Sequence, residues 1–130
     1  MHITLETDYA IRIVDRLLKA GGRLDAKTIS ERSDVPQRFA LKILHKLVSG
    51  GVVKSYKGAG GGYEIACTAE NLSLYDIVEL VEGTYRFSRC VDGGYNCSCE
   101  LPCAYKQVFS DISEEVCKML RKQTFDKLIK

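Results

Sequence analysis

The chain has 130 residues, 45% hydrophobic and 28% charged, with a formal net charge of +2. That length suits one domain, or a domain with an extension, and allows a real core. No run of 18 apolar residues occurs, which excludes a spanning helix.

The opening MHITLETDYAIR has neither a basic n-region nor an unbroken apolar h-region, so no signal peptide is expected. A cytoplasmic setting follows, where thiols stay reduced. Residues 7–20 then read as an amphipathic helix. Tyr9, Ala10, Ile13, Val14, Leu17 and Leu18 recur at helical steps, Thr7 is its expected N-cap, and Gly21-Gly22 ends it. Asp25 caps a short second helix that turns Ala26 and Ile29 inward and runs to about Arg32. Ser33-Asp34-Val35-Pro36 makes a tight turn, with Pro36 suited to the start of the next helix. The third helix, about 37–49, buries Ala40, Ile43, Leu44, Leu47 and Val48. Its other face shows Gln37, Arg38, Leu41, Lys42, His45 and Lys46, and Gly50-Gly51 stops it.

Val52–Tyr56 and Tyr63–Cys67 are β-rich runs joined by Lys57-Gly58-Ala59-Gly60-Gly61-Gly62, the pattern of a hairpin with a flexible tip. A fourth helix, about 74–82, has Ser73 and Asp76 as a capping box and Gly83 as its stop. Residues 104–121 form a long helix with Tyr105, Val108, Phe109, Ile112, Val116, Met119 and Leu120 on one side. Thr124 caps a last turn ending in Leu128 and Ile129. Nothing C-terminal is large enough to cover the long helix's stripe, so a partner subunit's equivalent helix is expected to do so, together with the first helix.

Helix, short turn, helix and hairpin is the winged helix-turn-helix order. Between Val35 and Tyr63 no Asp or Glu occurs, while Arg38, Lys42, Lys46, Lys54 and Lys57 are present. Gln37 and Arg38, near the N-terminus of the third helix, are placed to read base edges in a major groove. Lys42, His45 and Lys46 suit phosphates. Lys57 can enter a minor groove, and Gly58 and Gly60 let the wing backbone approach a strand. Exposed lysines alone would mean only a solvated face; acid exclusion together with the wing points to double-stranded DNA.

Four of the six cysteines fall in one glycine-containing loop: Cys90, Cys97, Cys99 and Cys103. Such a density of thiols in a reducing compartment suits a metal or redox chemistry. Cys90, Cys97 and Cys103 are spaced widely enough to wrap an iron–sulfur cluster, with Cys99 to spare. The spacing lacks the paired knuckles of common zinc sites, and a thiol switch such as Cys97 with Cys103 is the other option. Cys67 and Cys117 read as small buried apolar residues.

The chain resembles the Rrf2 family of winged-helix regulators, on TDYAIRIV, AKTISERSDVPQRFALKILHKLVSGGVV, KGAGGGYEIA, LSLYDIVELVEG and the cysteine loop. The likeness covers essentially residues 1–128. It implies a homodimeric transcription factor, of repressor type among others, whose cluster state sets operator affinity. By the same resemblance Cys90, Cys97 and Cys103 are the cluster cysteines. Lys106 stands where one branch of the family has a ligating histidine, so the fourth ligand differs. Asp8 matches an aspartate that nitric-oxide-sensing relatives supply from the partner subunit; Glu6 and Cys99 are the alternatives. Both 2Fe–2S and 4Fe–4S clusters remain open.

The expected fold is thus mainly α with a small β-hairpin wing. Residues 1–83 form the winged helix-turn-helix domain, 84–103 the cluster-binding loop, and 104–130 the dimerisation helix and tail. The function expected is cluster-dependent, non-enzymatic regulation of transcription that senses iron, redox state or nitric oxide. A cluster-free regulator using thiol switching, a small molecule or a protein effector is one alternative, and a small electron-transfer protein another. No phosphate loop or nucleophile–base signature supports catalysis.

Overall fold

The computed structural model describes residues 3–91 and 103–129. At its centre lies α1, Leu5–Ala20, which packs against α2 (Ala26–Ser33), α3 (Gln37–Ser49), α4 (Leu74–Glu82) and the second wing strand. Ala10, Ile13, Val14 and Leu17, spaced three or four apart, are almost wholly buried there. The helix starts earlier than its apolar pattern suggests. Thr4, in extended backbone, is the N-cap, and its Oγ1 accepts the Thr7 N–H at 3.2 Å. Thr7, expected as the cap, sits inside the first turn and is fully buried.

Asp25 caps α2 as expected, Oδ1 accepting the Thr28 N–H at 2.7 Å. That hydrogen bond holds its carboxyl below the usual carboxylate range. Asp34 adopts left-handed backbone (φ +54) to end α2, and Val35 drops into the core. The Pro36 carbonyl then starts α3 by accepting the Ala40 N–H at 2.9 Å. Ala40, Ile43, Leu44 and Leu47 are buried, and Val48 is half-buried at the margin.

β1 (Val53–Tyr56) and β2 (Gly62–Ile65) pair antiparallel with Val53 opposite Ile65 and Tyr56 opposite Gly62. A third partner was not legible in the sequence. Leu24, between α1 and α2, exchanges both backbone hydrogen bonds with Tyr63, at 3.0 and 2.8 Å. The approach is so close that a Cβ on Gly62 (φ +135) would lie 2.7 Å from the Leu24 carbonyl oxygen. α4 carries the expected capping box: Ser73 N–H donates to Asp76 Oδ2 at 2.8 Å while Ser73 Oγ accepts the Asp76 N–H at 3.3 Å.

α5 spans Ala104–Arg121 and packs against α4 and a single 3₁₀ turn, Arg89–Val91. Its inward side is made of small residues, Ser113 and Cys117. Ser113 Oγ accepts the Phe87 N–H at 2.8 Å, and the Phe87 and Phe109 rings sit 5.5 Å apart. Tyr105, Val108 and Met119 are exposed, at 75%, 52% and 66%, so their flank of the expected stripe is uncovered within the chain.

The terminal turn α6 is Phe125–Leu128, with Thr124 as its N-cap residue as expected. Leu128 is 48% exposed, whereas Phe125 is 1% exposed and belongs to the core formed by α1–α4. Phe125 N–H donates to the Leu72 carbonyl and Leu74 N–H to the Gln123 carbonyl, both at 2.9 Å. The tail therefore closes the N-terminal core. Phe125→Ala should cost about 3–5 kcal/mol in urea denaturation, the range for emptying a buried aromatic site; a loss under about 1 kcal/mol would contradict this packing.

Candidate nucleic-acid interface and cysteine site

The candidate reading head, made of α2, the turn at residues 34–36 and α3, is held in place from behind by α1. Arg16 Nε donates to the Arg32 carbonyl at 2.9 Å, and Arg12 Nη1 reaches the Asp34 carbonyl at 3.5 Å. Two guanidiniums thus occupy the carbonyl end of α2 just before the turn, where a helix end favours positive charge. Sequence pattern gave no sign of this, since both arginines fall on the polar side of α1.

On α3, Gln37, Arg38, Leu41, Lys42 and His45 are exposed together. The Arg38 guanidinium lies 5.6 Å from the Phe39 ring centroid, and Phe39 in turn packs 6.1 Å from Tyr9. That contact biases Arg38 toward one orientation at the start of the helix. Lys46 is placed differently from Lys42. Its ammonium forms an ion pair with Glu6 Oε1 of α1 at 2.7 Å, and Lys42 approaches the same oxygen at 3.9 Å. The acid-free run of residues 36–62 is therefore not free of acid in space.

Lys54, Lys57, Gly58 and Gly60 are exposed on the wing. The wing tip is braced. Arg23 Nη1 donates to the Gly60 carbonyl at 2.9 Å while its guanidinium stacks 3.5 Å from the Tyr56 ring centroid. Arg23 thereby joins the basic wing surface, a position the sequence did not mark because it precedes α2. Gly58 (φ +88) and Gly60 have open space where a side chain would project, so backbone is presented outward there.

Of the loop cysteines, Cys90 and Cys103 lie among the described residues, and Cys97 and Cys99 outside them. Cys90 sits in the 3₁₀ turn packed on α5, half-buried, its Sγ 3.2 Å from Ser88 Oγ. Cys103 is the N-cap residue of α5. Either atom of the Cys90–Ser88 contact can be its donor. Cysteine sulfur is a soft ligand, so Cys90 and Cys103 offer donors of the type that suits a soft metal centre. Among the described residues no three His, Cys, Asp or Glu side chains gather into a metal site. Asp8 stands on the first turn of α1, 39% exposed, and pairs with Arg12 at 2.8 Å. Cys117 is buried, as expected, and Cys67 is half-buried, with burial and Asp76 pushing its thiol up.

Among the described residues no helix is long and apolar enough to cross a membrane. The Rrf2 family model, described as an iron-dependent transcriptional regulator, matches residues 3–130. The transcriptional regulator NsrR of Bacillus subtilis is 26% identical over 133 residues, spanning 100% of this chain and 91% of the relative. The oxidized form of Staphylococcus aureus CymR superposes with a TM-score of 0.77 at 26% identity, covering 100% of this chain and 97% of that one. T. potens IscR gives a TM-score of 0.78 at 21% identity, covering 99% and 86%. The fold is shared with these structures, and the family model and NsrR are both described as transcriptional regulators, not as enzymes.

The two kinds of basic contact should separate by titration of labelled duplex. Arg38→Ala should cost about 1–3 kcal/mol of operator binding and relax discrimination at one base position. Lys57→Ala should weaken operator and unrelated duplex alike and flatten the salt slope by about 0.9.

Proposed function

The chain belongs to the Rrf2 family of transcriptional regulators and binds DNA, and from that premise we propose that it grips operators as a homodimer whose affinity is set by an iron–sulfur cluster. Cys90, Cys97 and Cys103 would hold the cluster, with Asp8 from the partner subunit as fourth ligand and Cys99 as the alternative. The cluster, when bound, supplies a soft-ligand joint that oxidation, nitric oxide or iron shortage can dismantle.

The observation that carries this reading is the position of Asp8. It lies on the first turn of α1, the same helix that braces the turn of the reading head through Arg12 and Arg16. Its ion pair with Arg12 is half-exposed and spans one helical turn, an interaction worth at most about 1 kcal/mol, so a stronger ligand can take Asp8 over. Arg12 would then be left to its bond with the Asp34 carbonyl, at the end of α2. A pull on Asp8 is thus a pull on the element that positions α3.

The uncovered flank of α5, with Tyr105, Val108 and Met119 exposed, supports pairing of two chains. Gln37 and Arg38 would read bases. Lys42, His45, Lys57 and the backbone at Gly58 and Gly60 would meet phosphates. A two-fold dimer presents two α3 helices at a fixed spacing, so a small rotation between subunits alters fit to both half-sites.

Iron and acid-labile sulfide counted on oxygen-free protein test the cofactor. Coloured protein with both elements is expected. Cys90→Ser should abolish the colour, Asp8→Ala should leave a cluster lost faster to air, and Cys99→Ala should behave like the parent chain. Colourless protein lacking iron and sulfide, even after reconstitution, would overturn the cofactor and favour a thiol switch.

A further inference from the structure

We propose that Glu6 is an intramolecular competitor for duplex phosphates, holding the Lys46 ammonium, and more loosely that of Lys42, against α1. Glu6 projects from the first turn of α1 onto the basic side of α3. Its Oε1 is shut away from water and accepts no well-aligned hydrogen bond. The compensation for that buried oxygen is the Lys46 ammonium at 2.7 Å, with the Lys42 ammonium at 3.9 Å. A carboxylate oxygen removed from solvent needs a partner charge. Lys46, the less exposed of the two lysines at 36% against 63%, is the one held close.

The consequence for binding is one of charge and counterions. Each lysine that neutralises a phosphate releases condensed cations and adds about 0.9 to the salt slope. A lysine already neutralised by a carboxylate at 2.7 Å adds little of this. Glu6 therefore subtracts roughly one sequence-independent contact from the duplex grip. What remains leans on Gln37 and Arg38, which meet bases, rather than on phosphates alone. Neither lysine is acid-paired within its own segment, so the competitor is invisible in the local sequence; the fold delivers it from 36 and 40 residues away.

This inference rests on α3 being the duplex-facing helix, and the experiment separates the two. Binding of one labelled duplex is followed between 50 and 200 mM salt for the parent chain, Glu6→Gln, the double variant Glu6→Gln/Lys46→Gln, and Arg38→Ala. Glu6→Gln should bind several-fold tighter at low salt. It should lose about 3.5-fold more affinity than the parent across that salt range, the loss expected for one added phosphate contact. The double variant, which removes a neutral pair as a unit, should keep the parent slope. Circular dichroism melting confirms that each variant is folded before its slope is compared.

A Glu6→Gln slope equal to the parent's, with Arg38→Ala still weakened, would overturn the competitor and leave the α3 reading intact. A double variant whose slope falls by about 0.9 would also overturn it, because Lys46 would then contact phosphate in the parent chain. Arg38→Ala binding like the parent would overturn both.

Discussion

Everything in the molecule hangs on burial of one stripe of α1. Ala10, Ile13, Val14 and Leu17 are 0–1% exposed, between α2, α3 and α4. At roughly 1.5–3 kcal/mol for each large aliphatic side chain removed from water, three of these four supply a large part of what holds the helices together. That burial also fixes what the other sides of α1 can do. Its polar side is forced against the reading head, so Arg12 and Arg16 meet the end of α2, and Glu6 meets Lys46. Its first turn carries Asp8, 39% exposed. One rigid helix thus connects a proposed ligand position with the proposed DNA-facing surface, and no flexible linker intervenes.

The same logic explains the wing. A two-stranded hairpin is marginal by itself. Here Leu24 adds two backbone hydrogen bonds to Tyr63, and Arg23 bridges Gly60 and Tyr56. The wing is therefore an extension of the α1–α2 connection. In the proposed contact with DNA, a basic tip on a braced hairpin would lose less freedom than a loose loop, and that ordering cost is part of what sets affinity.

Much of this was legible in the residues because periodicity and capping are local. The helices at 26–33, 37–49, 74–82 and 104–121 follow from apolar spacing and from Asp25, Pro36 and the Ser73–Asp76 box. The start of α1 was misjudged because Thr4 and Thr7 are equally good caps by residue type; only backbone angles separate them. The burial of Phe125 could not be read from the sequence, because a four-residue turn has too short a pattern to show which side is buried. The Leu24–Tyr63 pairing, the Arg23 brace and the Glu6–Lys46 pair join residues 39, 37 and 40 positions apart. No window of local sequence carries such contacts. At the cysteine loop, residue type and spacing still carry the case for Cys97 and Cys99, which lie outside the described residues, while Cys90 and Cys103 are set on the turn and helix that flank them.

The most direct measurement is quantitative footprinting of one operator, without oxygen, by the cluster-loaded dimer and by the same preparation stripped of iron. If the thiol loop and α1 govern how α3 is presented, the two forms must differ in affinity by tenfold or more, a coupling of about 1.4 kcal/mol. Superimposable protection curves would contradict the coupling and leave a DNA-binding regulator indifferent to its cluster.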